Sequence, residues 1–397
     1  MPIRLSLQIS LHTPFVCRKI TAPSMRSPTK SAGFDTKSRS GKGFAWKWIF
    51  SVGLILGIYV LIRNYVYVSR GMLRPNFRLI HQSYDFNFME LPLSLLGAAV
   101  LMAGGAVVWQ AARKSLSFIS VVFVFFAVDL FAVRYYITFV EPQKLVVHTI
   151  RLKTAKLTKP VRIVHISDIQ SGGIARYERK VFERIRELQV DLVLNTGDFL
   201  QTVPPATFES EFPKLLELIK DVNPQFGTYA VFGDTERELY NVDPEQLAPL
   251  QMLSSRSVRI DTGDGEVDLY GLSLYQSKNK EWAIRAVDTW LAQTEAGAFR
   301  ILLGHAPDFA LGMSDRQIDL CLAGHTHGGQ VRLPVYGPLV IDSEVPREWA
   351  RGFRNIGIPY LNVSAGAGSN RYEGLPPIRL NCPTEITLIE LVPDRLQ

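Results

Sequence analysis

The sequence predicts an α/β domain with a mixed β-sheet, preceded by about three transmembrane helices. Three observations carry this expectation. Long, nearly uncharged segments are confined to residues 44–140, and a bilayer core requires stretches of about 20 apolar residues. From about residue 145, short apolar runs alternate with helical patterns, as strand–helix units do. Asp264-Gly265, between Arg259-Ile260 and an apolar run at 267–270, reads as a hairpin turn, so the sheet is not all parallel.

Residues 1–43 form a basic tail in which Asp35 is the only acid. Such a tail reads as disordered and suits a position beside anionic lipid. Its Arg-, Ser- and Lys-rich composition also fits an organelle transit peptide, with Met25 as a second candidate start. Much of the net charge of +7 lies here, which argues against a nucleic-acid-binding surface on the folded part. The transmembrane region is expected over 44–140. Its first span, 46–67, has Trp46 and Trp48 at one end and Tyr65 and Tyr67 at the other, as interfacial aromatics do, with Lys47 and Arg63 snorkelling. The second, 91–112, carries no charge and is rich in glycine and alanine, which suits close helix contact. The third, 115–137, holds Asp129, expected either to serve function or to pair with Arg134. Lysines and arginines nearly balance across the spans, so the positive-inside rule leaves the orientation open. Three cysteines, Cys17, Cys321 and Cys382, are too scattered for a disulfide framework or a cysteine-based zinc site.

The soluble domain is expected over 145–397. Val161-Arg162-Ile163-Val164-His165-Ile166 alternates as a strand and ends at Ser167-Asp168-Ile169-Gln170. A helix over 177–188 leads to the strand Leu192-Val193-Leu194, which ends at Asn195-Thr196-Gly197-Asp198. A helix over 212–222 leads to a strand over 228–232, ending at Gly233-Asp234-Thr235-Glu236. Residues 300–303 form a further strand ending at Gly304-His305, and 318–323 another, ending at Gly324-His325-Thr326-His327-Gly328-Gly329-Gln330. Each polar cluster sits at the carboxyl end of a strand, where open α/β sheets place their ligands.

Those clusters have the chemistry of a metal centre. His325 and His327 can face one cleft because flanking glycines let the backbone bend. The chain has only seven histidines, and His305 is a third at a strand end. Imidazole combined with the carboxylates Asp168, Asp198 and Asp234 is a donor mix for Mn, Fe or Zn, and a bridging carboxylate can hold two such ions about 3.5–4 Å apart.

Asp168-x-Gln170, Gly197-Asp198, Gly233-Asp234-Thr235-Glu236, Gly304-His305 and Gly324-His325-Thr326-His327 resemble, in order and spacing, the motifs of the calcineurin-like metallophosphoesterases. The continuation through Gly328-Gly329-Gln330, Gly337-Pro338-Leu339, Arg351-Gly352 and Pro383-Thr384-Glu385 is similar to the membrane-associated bacterial branch that includes UDP-2,3-diacylglucosamine pyrophosphatases. The resemblance implies a four-layer fold, two mixed β-sheets sandwiched by helices. It implies two divalent metal ions: Asp168 and His327 on one, with Gln170 beside them, His305 and His325 on the other, Asp198 bridging, and Asp234 in the place of an Asn ligand to the second. Glu236 matches the acid that closes the third motif. It further implies attack on phosphorus by a metal-bridging hydroxide, a phosphate-containing and lipid-linked substrate, and residence in the bacterial inner membrane.

Two positions depart from the family pattern. Position 170 is Gln where the family has His, and 234–235 is Asp-Thr where it has Asn-His. The site becomes richer in oxygen, favouring Mn or Mg over Fe or Zn. Thr235 cannot replace a histidine that steadies the phosphate and protonates the leaving group, a role worth about 10²–10⁴ in rate. Activity is therefore expected to be best on pyrophosphate-linked or aryl substrates. Arg332 and Arg371 are the arginines expected to help bind phosphate, with Arg351 and Arg379 behind them. The expected function is a membrane-anchored, metal-dependent phosphohydrolase acting on a phosphoester or pyrophosphate bond. The alternative is a membrane scaffold that keeps the fold and has lost turnover.

Overall fold

The computed structural model describes residues 40–73, 77–295, 297–371 and 376–394. Most of the tail expected over 1–43 therefore lies outside the described residues. The chain divides into a unit of residues 1–52 and one of 53–397. The first holds the start of a helix, α1 (Ser40–Leu73), and the second holds the remaining elements.

α2 (Phe77–Asp85), α3 (Leu91–Val108) and α4 (Arg113–Tyr135) follow α1. Two stretches are long and apolar enough to cross a membrane, Ile80–Val108 and Arg113–Gln143, with mean hydropathies of 2.1 and 2.5. They match the expected second and third spans. The expected first span is the correction: among the described residues its apolar part is only Gly53–Tyr67, short of the roughly 20 residues a bilayer requires. Within it, Arg63 stacks on the rings of Tyr59, Tyr67 and Phe86 and donates to both tyrosine hydroxyls. α3 and α4 pack as a hairpin, with Ser120 Oγ donating to Ala99 O (2.9 Å). No Asp129–Arg134 ion pair forms among the described residues. Arg134 stacks on Tyr84, and Asp129 is exposed.

The strands are β1 (Leu145–Thr154), β2 (Val161–Ile166), β3 (Leu192–Asn195), β4 (Thr228–Ala230), β5 (Leu250–Met252), β6 (Arg256–Asp261), β7 (Glu266–Gly271), β8 (Phe299–Leu303), β9 (Leu320–Ala323), β10 (Arg332–Leu333), β11 (Gly337–Pro338), β12 (Gly352–Asn355), β13 (Tyr360–Val363) and β14 (Thr384–Pro393). One six-stranded sheet runs β1-β14-β2-β3-β4-β5, and another runs β12-β13-β9-β8-β7-β6. The centre of each is parallel. The expected Asp-Gly hairpin is the antiparallel β6–β7 pair, and β14 is antiparallel to β2. Both sheets are mixed.

The sheets pack face to face over Ile163, Leu194, Leu269, Ile301, Leu320 and Leu322. Burying each of these side chains is worth about 1.5–3 kcal/mol. Outside the first sheet lie α5 (Arg176–Glu187) and α6 (Phe208–Val222), burying Val181, Phe182, Ile185 and Leu215. Outside the second lies α8 (Lys280–Gln293), through Ala283, Val287 and Trp290. Both faces of each central strand are thus covered, which is why Leu320-Cys321-Leu322-Ala323 is apolar without alternation. The result is the four-layer arrangement that the resemblance implies.

The apolar helices join the domain through a buried contact of Tyr84 and Ile137 with Ile378. Arg379 N–H donates to Ile137 O (2.9 Å), and Glu141, itself buried, accepts from Cys382 N–H (2.8 Å).

Candidate metal centre

The carboxyl ends of β2, β3, β4, β8 and β9 converge, and at each the chain turns sharply. Asp168, Gln170, Asp198, His325, His327 and Gln330 all have positive φ, between 35° and 67°. Non-glycine residues in that region cost about 1–3 kcal/mol each and persist where the surroundings impose them. Two glycines make the crowding possible. A Cβ on Gly324 would overlap Ser167 Oγ and the Asp168 carboxylate, and one on Gly197 (φ 96°) would lie 2.6 Å from Gly233 N.

Asp168 is fully buried. It accepts from Ser167 Oγ (2.6 Å) and from His325 N–H (3.0 Å), and its Oδ1 lies 3.5 Å from His327 Nε2. Burial pushes its pKa up to about 6. Asp198 Oδ1 accepts from the N–H groups of Asp234 (2.6 Å) and Thr235 (3.1 Å), while Oδ2 accepts from Gln170 Nε2 (2.6 Å) and lies 3.5 Å from His305 Nε2. His305 Nδ1 donates to Thr196 O (2.7 Å), which turns Nε2 toward the carboxylates. Asp234 Oδ2 lies 3.1 Å from His325 Nδ1 and 3.6 Å from His305 Nε2.

Two donor groups result, each with its ligand atoms within 4.8 Å of one another: Asp234, His305 and His325, and Asp168, Asp198 and His305. The first is the second-metal set that the resemblance implies. In the second, His305 stands beside Asp168 and Asp198, so one imidazole is common to both groups. Burial opposes a charge on His305, yet Asp198, Asp234 and Asp168 outweigh it and push its pKa up to about 10. The carboxylates thus hold a proton where a divalent cation would satisfy the same charge. Gln170 Oε1 is buried with no hydrogen-bond partner among the described residues, which suits an oxygen ligand. The donor set therefore fits divalent metal.

Other expected site residues lie around this cluster rather than in it. Glu236 is fully buried and turns its carboxylate to the backbone, accepting from the N–H groups of Gly233 (2.5 Å), Phe199 (2.5 Å) and Asp198 (3.2 Å). Burial raises its pKa to about 7. Thr235 Oγ1 donates to it (2.8 Å). Arg332 Nη1 donates to Gly328 O (2.8 Å), just beyond His327. The guanidinium of Arg371 lies against Gly172, two residues from Gln170, and its Nε has no partner among the described residues. Arg379 is fully buried and spends its donors on Ala365 O, Gly368 O, Ser369 Oγ and Cys382 O. That brace holds the loop whose Ala367 and Gly368 N–H groups bond Ser167 O and Asp168 O, so Arg379 supports the site and is not placed to bind phosphate.

Sequence reasoning missed two contributors. Lys278 Nζ bonds both oxygens of Asp234 (2.6 and 2.9 Å). Below the cluster, His165 links Thr196 Oγ1 (3.0 Å) to Asn362 Nδ2 (2.9 Å), and burial keeps it neutral, its pKa lowered to about 3. The alternation of β2 marked His165 as a strand residue and gave no sign of its partners.

The family model described as Calcineurin-like phosphoesterase matches residues 161–329, the segment that contributes every one of these metal donors. Relatives include the uncharacterized metallophosphoesterases YkoQ and YkuE of Bacillus subtilis. The first is 29% identical over 44% of this chain and 64% of its own length, the second 27% identical over 58% and 78%. Phosphodiesterase YaeI of Escherichia coli is 31% identical over 52% of this chain and 72% of its own. The chain belongs to the calcineurin-like phosphoesterase family. It is accordingly a hydrolase acting on phosphoester bonds.

Proposed function

We propose that this protein is a membrane-anchored phosphohydrolase that uses two divalent cations, Mn or Mg in preference to Fe or Zn, to cleave a phosphoester or pyrophosphate bond of a lipid-linked substrate. The observation that carries the reading is the pair of donor groups sharing His305 at the strand ends. Bound there, divalent cations would activate water as the nucleophile and neutralise the phosphoryl oxygens.

The chain's own residues do the rest. Thr196 O holds the His305 tautomer that leaves Nε2 available. Gln170 fixes Asp198 from one side and the N–H groups of Asp234 and Thr235 fix it from the other, so the bridging position is preorganised. Arg371, mostly buried beside Gly172, supports a role in binding the phosphate.

A lipid-linked substrate is supported where the apolar helices meet the domain. A cavity of about 70 Å³ lies there, lined by Tyr84, Phe88, Ile137, Val331, Leu339 and Leu380. It is less than half of the roughly 150 Å³ that admits a benzene ring, so it suits the end of one acyl chain. Val331 follows the His325–Gln330 turn directly, which links the cavity to the site. Anchoring beside the bilayer raises the effective concentration of such a substrate.

Full-length protein stripped of metal is expected to be inactive on an aryl phosphodiester and to regain activity with added Mn. Stoichiometric zinc with no response to manganese would overturn the metal preference; metal-free, inert protein would establish the scaffold reading that Gln170 and Thr235 favour. Because Thr235 is no acid, rates corrected for intrinsic reactivity are expected to fall more on alkyl phosphates than on pyrophosphates or aryl esters, by about 10²–10⁴-fold. Equal corrected rates would show that another group protonates the leaving oxygen.

A further inference from the structure

Lys278 is a basic side chain that the structure seats directly on a candidate metal donor, Asp234. It follows a short helix, α7 (Leu274–Ser277), that leaves the second sheet after β7. Ser277 packs against Gly304, and its Oγ accepts from Ala306 N–H (3.3 Å). The end of α7 is thereby fixed on the turn that carries His305, and Lys278 Nζ reaches Asp234 at 2.6 and 2.9 Å.

Exposure distinguishes this pair from the rest of the centre. Asp168, Asp198, His305 and His327 are buried, whereas the Lys278 and Asp234 side chains are 39% and 38% exposed. They form the exposed side of the donor cluster. Without Lys278, an arriving phosphate anion would meet an exposed carboxylate. An ammonium group has three donors, and two are engaged by Asp234, so one N–H remains for a phosphoryl oxygen. The pair also offsets the two departures at positions 234 and 235. Asp in place of Asn adds a negative charge, Thr in place of His removes a phosphate contact, and one lysine balances the charge and can supply the contact.

We propose that Lys278 is a substrate-binding residue: its ammonium holds a non-bridging phosphoryl oxygen while keeping Asp234 turned toward His305 and His325. This rests on the phosphohydrolase reading above. A half-exposed ion pair contributes little to stability, so the effect belongs in binding.

The test uses full-length protein in detergent with added Mn, comparing wild type, Lys278→Gln and Lys278→Arg. Calorimetry measures the affinity for inorganic phosphate, kinetics measures KM and kcat on an aryl phosphodiester, and elemental analysis measures metal content. Lys278→Gln is expected to weaken phosphate binding and raise KM by about ten- to a hundredfold, with metal content and melting temperature unchanged. Lys278→Arg is expected to recover most of the loss. Unchanged phosphate affinity in Lys278→Gln overturns the proposal, and so does a loss that merely follows lost metal, which would make Lys278 a support for Asp234 alone. A wild-type protein that binds neither metal nor phosphate overturns the phosphohydrolase reading itself, so the two failures are distinct.

Discussion

Replacing Asp198 with Ala is expected to abolish phosphodiester hydrolysis, lowering kcat by roughly 10²–10³-fold or more, the range for removing one preorganised electrostatic group, and to reduce bound metal. Asp198 accepts from Gln170, Asp234 and Thr235 at 2.6, 2.6 and 3.1 Å and stands 3.5 Å from His305 Nε2. Its removal takes an anionic donor from the group it forms with Asp168 and His305 and frees three groups that it orients. Asp198→Asn separates these effects. It can keep an acceptor for the two backbone N–H groups while losing the charge, so it should fold as wild type and still lose metal. If Asp198→Ala retains both metal and turnover, the bridging assignment is wrong.

The second large effect concerns Glu236 and is read in stability. In Glu236→Ala, the N–H groups of Gly233, Phe199 and Asp198 lose a buried acceptor. An unsatisfied buried group costs about 1–3 kcal/mol, so a loss of about 3–9 kcal/mol is expected, against a typical folding stability of about 5–15 kcal/mol. The variant should melt far below wild type or fail to accumulate folded. Glu236→Gln retains one acceptor oxygen and should fall between them. Thermal denaturation decides the matter. A Glu236→Ala protein that melts like wild type and loses only activity would return Glu236 to a direct chemical role.

How much of the site was legible depended on whether its partners were near in sequence. Asp168, Asp198, Asp234, His305, His325 and His327 each follow an apolar strand directly, so both the residue types and their place at strand ends could be read along the chain. The Asp-Gly hairpin was legible for the same reason and became β6–β7. Glu236 looked like part of a catalytic motif because its neighbours in sequence are, yet its carboxylate faces the backbone. Arg379, a weaker phosphate-binding candidate from sequence, is consumed by carbonyls, whereas Arg371, a favoured one, lies beside Gly172. The first expected span came out shorter: among the described residues its apolar part is Gly53–Tyr67, which includes Arg63.

Sequence alone determined the family, the α/β class, the metal-donor types and their order along the chain, because each is encoded within a few residues. Tertiary structure decided which donors meet. It made His305 common to both groups, set Gln170 Nε2 on Asp198 across 28 positions, brought Lys278 to Asp234 across 44, and buried Glu141 under Cys382 N–H across 241. The physical reason is sheet order. Parallel strands place distant chain segments side by side, and the order of strands in the sheet, which no local pattern encodes, sets which side chains come within bonding distance.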